Sequence, residues 1–372
     1  MSEITFELAT PDDGPELRRV LRENPMPGTI SVTFEREPNY FIAAKVEGPF
    51  RQTIIARDNS IGRIVGMISR SIRDVYLNGS PQAVGYISQI RIVPDYRVMP
   101  KALTRAFAFF DRLRQDGRAT LHFTSIIEDN LPARRLLTAG LPGMPRLQEY
   151  ARLHTLAIYC RRRRRRLSMP DGLQLARGSS AYINETVACL QRNGARYQLA
   201  PHWTSDILFN PDHTPDLTPE DFFLALDGKR VVGCLAAWDQ SRFKQTVVRS
   251  YSGALGRWRG LANVGARLAG WPVLPRPNTP FRYCYASHLA VDDDRLDVFA
   301  ALVRALYNHA MGQKYSYFML GLSEPHPLLK EVTTTYRHIN YRSILYLVAW
   351  EDELETLPQL DSRIPGVEIA TL

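Results

Sequence analysis

Between Gly85 and Ala106 the chain reads as an apolar strand, Gly85-Tyr86-Ile87-Ser88-Gln89-Ile90-Arg91-Ile92-Val93, that turns through Pro94-Asp95-Tyr96-Arg97 into a helix. A strand running into a helix N-terminus points the first unpaired helical N–H groups outward, with the positive end of the helix dipole behind them. The chemistry such a turn supports is anion binding, phosphate above all. A second strand–turn–helix, Tyr283 to Val291 followed by Asp292-Asp293-Asp294-Arg295, has the opposite sign. Three carboxylates at the mouth of a cradle repel a phosphate, so this copy is expected not to bind one and its acids to cap the helix.

Other polar residues gather in the second half. His288 lies on that strand, Glu324 and His326 stand in Ser323-Glu324-Pro325-His326-Pro327, and Arg337-His338 are flanked by Tyr336 and Tyr341. Glu324 and His326 follow a strand ending near Gly321, the side on which open α/β sheets place ligands. His288, Glu324 and His326 are therefore candidate substrate contacts. Their spacing has no metal-ligand pattern, and no metal is expected. Cys160, Cys189, Cys234 and Cys284 lie far apart without a Cys-x-x-Cys pair, which excludes a zinc ribbon or disulfide framework and leaves them as small buried hydrophobes.

The formal net charge of +9 is concentrated in one run, Arg161 to Arg166, without which it falls to +3 (9 − 6). A nearly balanced body with a single basic cluster and no interleaved aromatics argues against specific nucleic-acid recognition. The run reads in three ways: a solvated linker, a patch attracting a phosphate backbone or anionic membrane surface, or an extension of the preceding strand that pairs with acids.

The elements that must position these residues form two series. At 372 residues the chain exceeds the roughly 250–300 at which single cores stop growing. The turn-rich Leu167–Gly172 stretch after the arginines gives a boundary: a first domain 1–160, an Arg-rich linker 161–171 and a second domain 172–372. Each begins with an alternating strand, Ile4–Ala9 or Leu173–Arg177, and a helix, Asp12–Glu23 or Ser179–Asn193. Then come a strand pair (Gln52–Arg57 with Arg63–Ile72; Phe222–Asp227 with Arg230–Trp238), a strand (Ala83–Val93; Arg282–Val291), and a long helix (Pro100–Gln115; Arg295–Met311). Two strands close each series (Thr120–Ser125 and Leu147–Tyr159; Tyr315–Gly321 and Tyr341–Trp350). The second domain carries an insertion at about 246–280, where Val247–Leu268 has roughly helical spacing before a proline-rich Trp271–Pro277. A helix bearing Trp258 and Trp271 would be a dimer face, a lid or a cover for its own core, so a homodimer is among the partners considered. The N-terminus has no apolar signal region and no segment reaches the length of a membrane span, so a cytoplasmic protein is expected.

Ile90-Arg91-Ile92-Val93-Pro94-Asp95-Tyr96-Arg97, with Lys101 and Ala102 in the following frame, resembles the strand and turn of the acetyl-CoA site in the GNAT superfamily of N-acetyltransferases. The likeness extends to Asn130-Leu131-Pro132-Ala133-Arg134-Arg135-Leu136, similar to that family's Asn-x-x-Ala-x-x-Leu. What the resemblance implies is a mixed α/β (α+β) fold of two tandem GNAT-like domains, each a mixed, mostly antiparallel sheet flanked by helices. Acyl-CoA, acetyl-CoA first, would lie against the backbone of Ile90, Arg91, Ile92 and Val93 and the turn Arg97, Val98, Met99, Lys101 and Ala102, with Asn130 facing it. Pro100 replaces the first turn glycine and has no N–H to donate. Leu137 stands where many members carry a tyrosine that protonates the departing thiolate. The central strand offers Tyr86, Ser88 and Gln89 where a carboxylate base is common, so a water relayed by Ser88, Tyr86 or Thr124 is the expected catalytic device. The expectation is an N-acyltransferase acting on an amine of a small molecule, peptide or protein; the alternative is a non-catalytic sensor or scaffold binding acyl-CoA or a partner.

Overall fold

A computed structural model describes residues 4–96, 100–170, 172–269, 273–313, 315–355 and 358–372. Its strands are β1 (Ile4–Leu8), β2 (Ile30–Glu35), β3 (Phe50–Asp58), β4 (Arg63–Leu77), β5 (Ser80–Ile92), β6 (Leu121–Ile127), β7 (Arg146–Tyr159) and β8 (Leu173–Arg177). The series continues with β9 (Phe222–Asp227), β10 (Arg230–Trp238), β11 (Gln245–Tyr251), β12 (Thr279–Pro280), β13 (Tyr283–Val291), β14 (Tyr317–Ser323) and β15 (His338–Ala349). The helices are α1 (Gly14–Arg22), α2 (Tyr40–Ala44), α3 (Pro100–Arg114), α4 (Leu131–Leu137), α5 (Ile183–Gly194), α6 (Ser205–Leu208), α7 (Gly253–Ala269), α8 (Leu296–Gly312) and α9 (Leu329–Thr335).

Twelve strands form one mixed sheet in the order β1-β3-β4-β5-β6-β15-β7-β14-β13-β10-β9-β8. The order reads nearly the same from either end. In each half an antiparallel meander leads to one parallel pair, β5 with β6 and β13 with β14. At the centre the halves exchange their last strands. β15 pairs with β6 of the first half, β7 pairs with β14 of the second, and β15 and β7 pair with each other from His338↔Ile158 to Ala349↔Arg146.

Alternation along the strands sorts residues to two faces. Ile54 packs in the cluster of Leu103, Phe107 and Phe110, the i, i+4, i+7 face of α3, whereas its neighbour Ile55 packs with Leu17, Val20 and Leu21 of α1. The second half repeats the arrangement. Phe223 and Ala225 pack under α8, and Phe222, Leu224 and Leu226 pack under α5. The sheet is thus buried on both faces, and its strands carry apolar runs accordingly.

Gly85 on β5 is required by close packing: a Cβ there would stand 2.2 Å from Cδ2 of His122 on β6. The His122 ring cannot retreat freely, being edge-on to Phe110 and Trp350 at 5.8 and 5.6 Å. Gly85→Ala is expected to lower stability by about 1–3 kcal/mol through overpacking, read from the urea midpoint at unchanged slope.

The insertion departs from the sequence expectation. Gln245–Tyr251 is a strand, and the helix begins only at Gly253. β11 pairs with β2 and β12 in a separate three-stranded ribbon, so a segment of the first half completes the insertion of the second. Cross-strand partners from another part of the chain decided the conformation of Val247–Tyr251 over its helical spacing. Trp271 lies outside the described residues. Among the described residues no helix is long and apolar enough to cross a membrane.

Candidate functional site

Each half has a bulge at the same place. The parallel ladder of β5 and β6 runs from Val84↔Leu121 to Ile87↔Thr124 and ends, and two residues later Gln89 has φ of +51°. The ladder of β13 and β14 runs from Tyr283↔Tyr317 to Ala286↔Leu320 and ends, and two residues later His288 has φ of +53°. A positive φ in a non-glycine strand residue marks a bulge that bends one strand away from its neighbour. Ser88-Gln89 and Ser287-His288 are thus equivalent points at which parallel strands part.

The two partings differ in what occupies them. In the second half the C-terminal segment threads across: the His288 N–H donates to Glu368 Oε2 at 2.7 Å and the Gly366 N–H to the Gln198 carbonyl at 2.8 Å. A Cβ on Gly321 would lie 2.2 Å from Ile369 Cγ2, so the tail is packed down on β14. The acids of the adjoining turn do not cap α8, as the sequence suggested. Asp292 accepts from Arg192 at 2.8 Å and Asn193 at 2.7 Å, and Asp294 accepts from the Tyr197 hydroxyl at 2.5 Å and pairs with Arg196. The arginines of α5 and the turn after it claim them first.

In the first half, β6 borders a large cavity just past the parting. Ser125 and Ile127 of β6 line a space of about 630 Å³ that runs across the central strands and beneath β2 and α7. Its floor includes Thr155 and Tyr159 of β7, Tyr283 and Tyr285 of β13, Tyr317 of β14 and Tyr341 of β15. Ala262, Ala266 and Ala269 of α7 roof it. Among the described residues no charged side chain lines it. Its volume is that of a small-molecule site, about twenty waters at roughly 30 Å³ each, and polarity comes only from hydroxyls and one amide.

The candidate catalytic residues divide by face. The Tyr86 hydroxyl lies 3.1 Å from Ser125 Oγ, which borders the cavity. Burial holds the Tyr86 phenol up to about 12, with the Ser125 hydrogen bond opposing and Glu47 adding to the shift. Tyr86 is therefore a proton donor at neutral pH. Ser88 Oγ donates to Glu47 Oε2 at 3.1 Å. Thr124 faces α3 with His122 and Ile126, and its hydroxyl donates to the Ile87 carbonyl at 2.8 Å. Tyr86 and Ser88 are brought together; Thr124 is not.

A buried carboxylate, Glu47, meets the central strand at Ser88. It arrives from the turn Lys45–Glu47, is 2% exposed, and forms a buried ion pair with Arg36. Arg73 brackets it by donating to the Glu47 carbonyl at 3.1 Å and to the Val46 carbonyl. At the rim, Lys244 donates to the Leu372 carbonyl at 2.7 Å, and burial first, with Arg36 nearby, pulls its ammonium down to about 8.

Of the residues assigned to a cofactor, Arg97, Val98, Met99 and the side chain of Lys101 lie outside the described residues. Ile90, Ile92 and Ala133 pack against the α3 cluster, Ala102 lines a small pocket beneath that helix, and Arg91 donates to the Ile90 carbonyl at 3.0 Å. The Val93 N–H donates to the Val65 carbonyl at 2.9 Å. Asn130 is the N-cap of α4, its Oδ1 accepting from the Ala133 N–H at 3.4 Å.

His288 and His326 line one small cavity of about 80 Å³, but Glu324 is turned away, beside Arg152 at 3.7 Å and His154 at 3.9 Å. His288 sits among the rings of Trp203, Phe222 and Trp238, and His326 stacks on Tyr197. Among the described residues no group of His, Cys, Asp and Glu is placed to hold a metal ion, and all four cysteines are buried.

Burial pushes His122 and His288 down to about 3 and His326 to about 4. A folded pKa below the unfolded 6.5 means that the unfolded chain binds protons the folded one refuses. Their stability contribution is complete above about pH 6.5 and is lost as pH falls toward 3–4. Each histidine contributes at most about 1.4 kcal/mol per pH unit in that window. His288→Asn keeps a side chain that tolerates positive φ and does not titrate. Urea midpoints between pH 6.5 and 5 should fall less steeply for it than for the parent; equal slopes would refute this account.

No family model matches the chain, and no curated protein sequence is significantly similar to it. Solved structures are similar. A GCN5-related N-acetyltransferase from Sphaerobacter thermophilus has a TM-score of 0.54 at 12% identity, covering 99% of this chain and 98% of that one. The Saccharomyces cerevisiae N-myristoyltransferase with bound myristoyl-CoA has a TM-score of 0.60 at 10% identity, covering 94% and 83%. The GCN5-related glucosamine N-acetyltransferase region of a fungal multi-domain GH3 β-N-acetylglucosaminidase has a TM-score of 0.59 at 14% identity, covering 94% of this chain and 38% of that one. At such identities the likeness is one of fold. The mixed sheet flanked by helices, with a bulged parallel pair in each half, is accordingly a tandem form of the GCN5-related N-acetyltransferase fold.

Proposed function

We propose that the chain is an acyl-CoA-dependent N-acyltransferase, with acyl-CoA held in the first half and an amine acceptor held in the large cavity. The observation that carries this reading is that β6, just past its parting from β5, borders the large cavity through Ser125 and Ile127, while the counterpart parting at His288 is filled by the chain's own tail. The backbone of Ile90 to Val93, the turn Arg97 to Met99, Lys101 and Ala102 and the amide of Asn130 would hold the cofactor, and the N-terminus of α3 favours its phosphates. A neighbour in fold solved with myristoyl-CoA supports the choice of cofactor class. Acetyl-CoA is the donor proposed first.

In the reaction the amine nitrogen attacks the thioester carbonyl carbon and the C–S bond breaks; the nitrogen gives its proton to water, the thiolate takes one from Tyr86, and water returns a proton to Tyr86. Tyr86, held protonated, passes a proton through Ser125 Oγ toward the leaving thiolate. Among the described residues no charged side chain lines the cavity to pair with an ammonium, so the acceptor enters with its apolar body first and reacts as the neutral amine.

Titration calorimetry of the intact chain with acetyl-CoA and longer acyl-CoAs, followed by thiol release across amines of rising apolarity, tests the reading. Micromolar binding and turnover that improves with acceptor apolarity are expected. No binding of any acyl-CoA overturns it. Binding without turnover assigns the chain instead as a non-catalytic acyl-CoA sensor, a reading that Pro100 at the cradle favours because it lacks an N–H.

A further inference from the structure

We propose that α7 docks the protein on an anionic phospholipid bilayer. This goes beyond acyl transfer and does not depend on it. Trp258, Leu261, Val264 and Leu268 are spaced three, three and four residues apart, which puts them on one helical stripe. All four are exposed, at 60%, 64%, 51% and 86%. Apart from Asn263, the residues of α7 that roof the cavity are alanines and a glycine, so this helix is largely apolar toward the protein as well as along its exposed stripe. An exposed apolar stripe of this length marks an interaction surface.

Charge decides the partner. Residues 245–280 hold five arginines and no aspartate or glutamate. Arg249 is spent on Glu35 and Arg259 on the Leu274 and Pro275 carbonyls. Arg257 and Arg267 on the helix, and Arg276 on the turn after it, are exposed. A second copy of this chain would bring arginine against arginine, and a nucleic acid would have no use for leucine and valine. An anionic bilayer satisfies both features: phosphates take the arginines, while Trp258, Leu261 and Leu268 sink to the headgroup boundary, the depth at which tryptophan is favoured.

The test is flotation of the full-length chain with vesicles of phosphatidylcholine mixed with phosphatidylglycerol, against phosphatidylcholine alone, at about 0.1 M salt. Binding to the mixed vesicles, weakening as salt rises, is expected. An arginine at an anionic surface is worth about a fivefold gain, so Arg257→Ser/Arg267→Ser/Arg276→Ser should weaken binding by tenfold or more. Leu261→Ser/Leu268→Ser should also weaken it, and lipid-borne bromine should quench fluorescence that Trp258→Phe removes. These positions are exposed, and unchanged circular dichroism would confirm that the variants fold. Absence of vesicle binding by the parent overturns the proposal. So does binding that survives both sets of helix substitutions but vanishes when Arg161–Arg166 are replaced by serine. Helix variants that dissociate a dimer while leaving vesicle binding intact overturn it as well.

Discussion

Replacing Tyr86 by phenylalanine is expected to slow acyl transfer by about 10²- to 10⁴-fold, the range in which one positioned proton donor contributes. The substitution removes only an oxygen from a ring that remains stacked on Phe123 at 4.9 Å, so acyl-CoA affinity and thermal stability should change little. Ser125→Ala interrupts the same relay at its cavity end and should give a similar loss. The double variant should be scarcely slower than either single one, because the two hydroxyls act as one unit. Single-turnover thiol release with saturating acyl-CoA makes the measurement. A Tyr86→Phe variant that reacts at the parent's rate would remove Tyr86 from the chemistry.

The second large effect concerns stability. Glu47→Ala leaves the Arg36 guanidinium buried without a counter-charge, and should cost about 3–5 kcal/mol. It also removes the acceptor of Ser88. Exchanging both partners, as Arg36→Met with Glu47→Leu, should recover much of the loss, because an uncharged pair owes no desolvation. Guanidinium unfolding of the parent, the singles and the double closes the cycle. If the double variant is no more stable than Glu47→Ala alone, the ion pair is not the reason Glu47 matters.

The elements that alternation writes plainly were legible in the chain. β9 and β10 fall where the sequence reading put them, and α3 and α8 lie within a residue or two. β2 was missed although Ile30, Val32 and Phe34 alternate, because the segment has no counterpart in the other half. Which strand β7 would join was not legible. β7 and β15 carry similar apolar alternation, and local pattern sets the face of a residue but not the identity of its neighbour. The site was legible where a motif runs continuously, from Gly85 to Ala106, and illegible where it is assembled in space. Glu47 meets Ser88 across 41 positions, and Ser125 meets Tyr86 across 39. The cavity tyrosines come from four strands of both halves and share only a face.

The exchange of β7 and β15 has a consequence for biosynthesis. When β7 leaves the ribosome exit its two eventual neighbours, β14 and β15, are not yet made, and β15 ends only at Ala349. At roughly 5–20 residues per second the nascent first half waits on the order of ten to forty seconds with both edges of a long strand unsatisfied. Such an edge is a template for pairing with another chain. Halves released by a cut between Arg161 and Pro170 would each keep a strand whose partners lie in the other, and the vulnerable interval is the time between the making of the two.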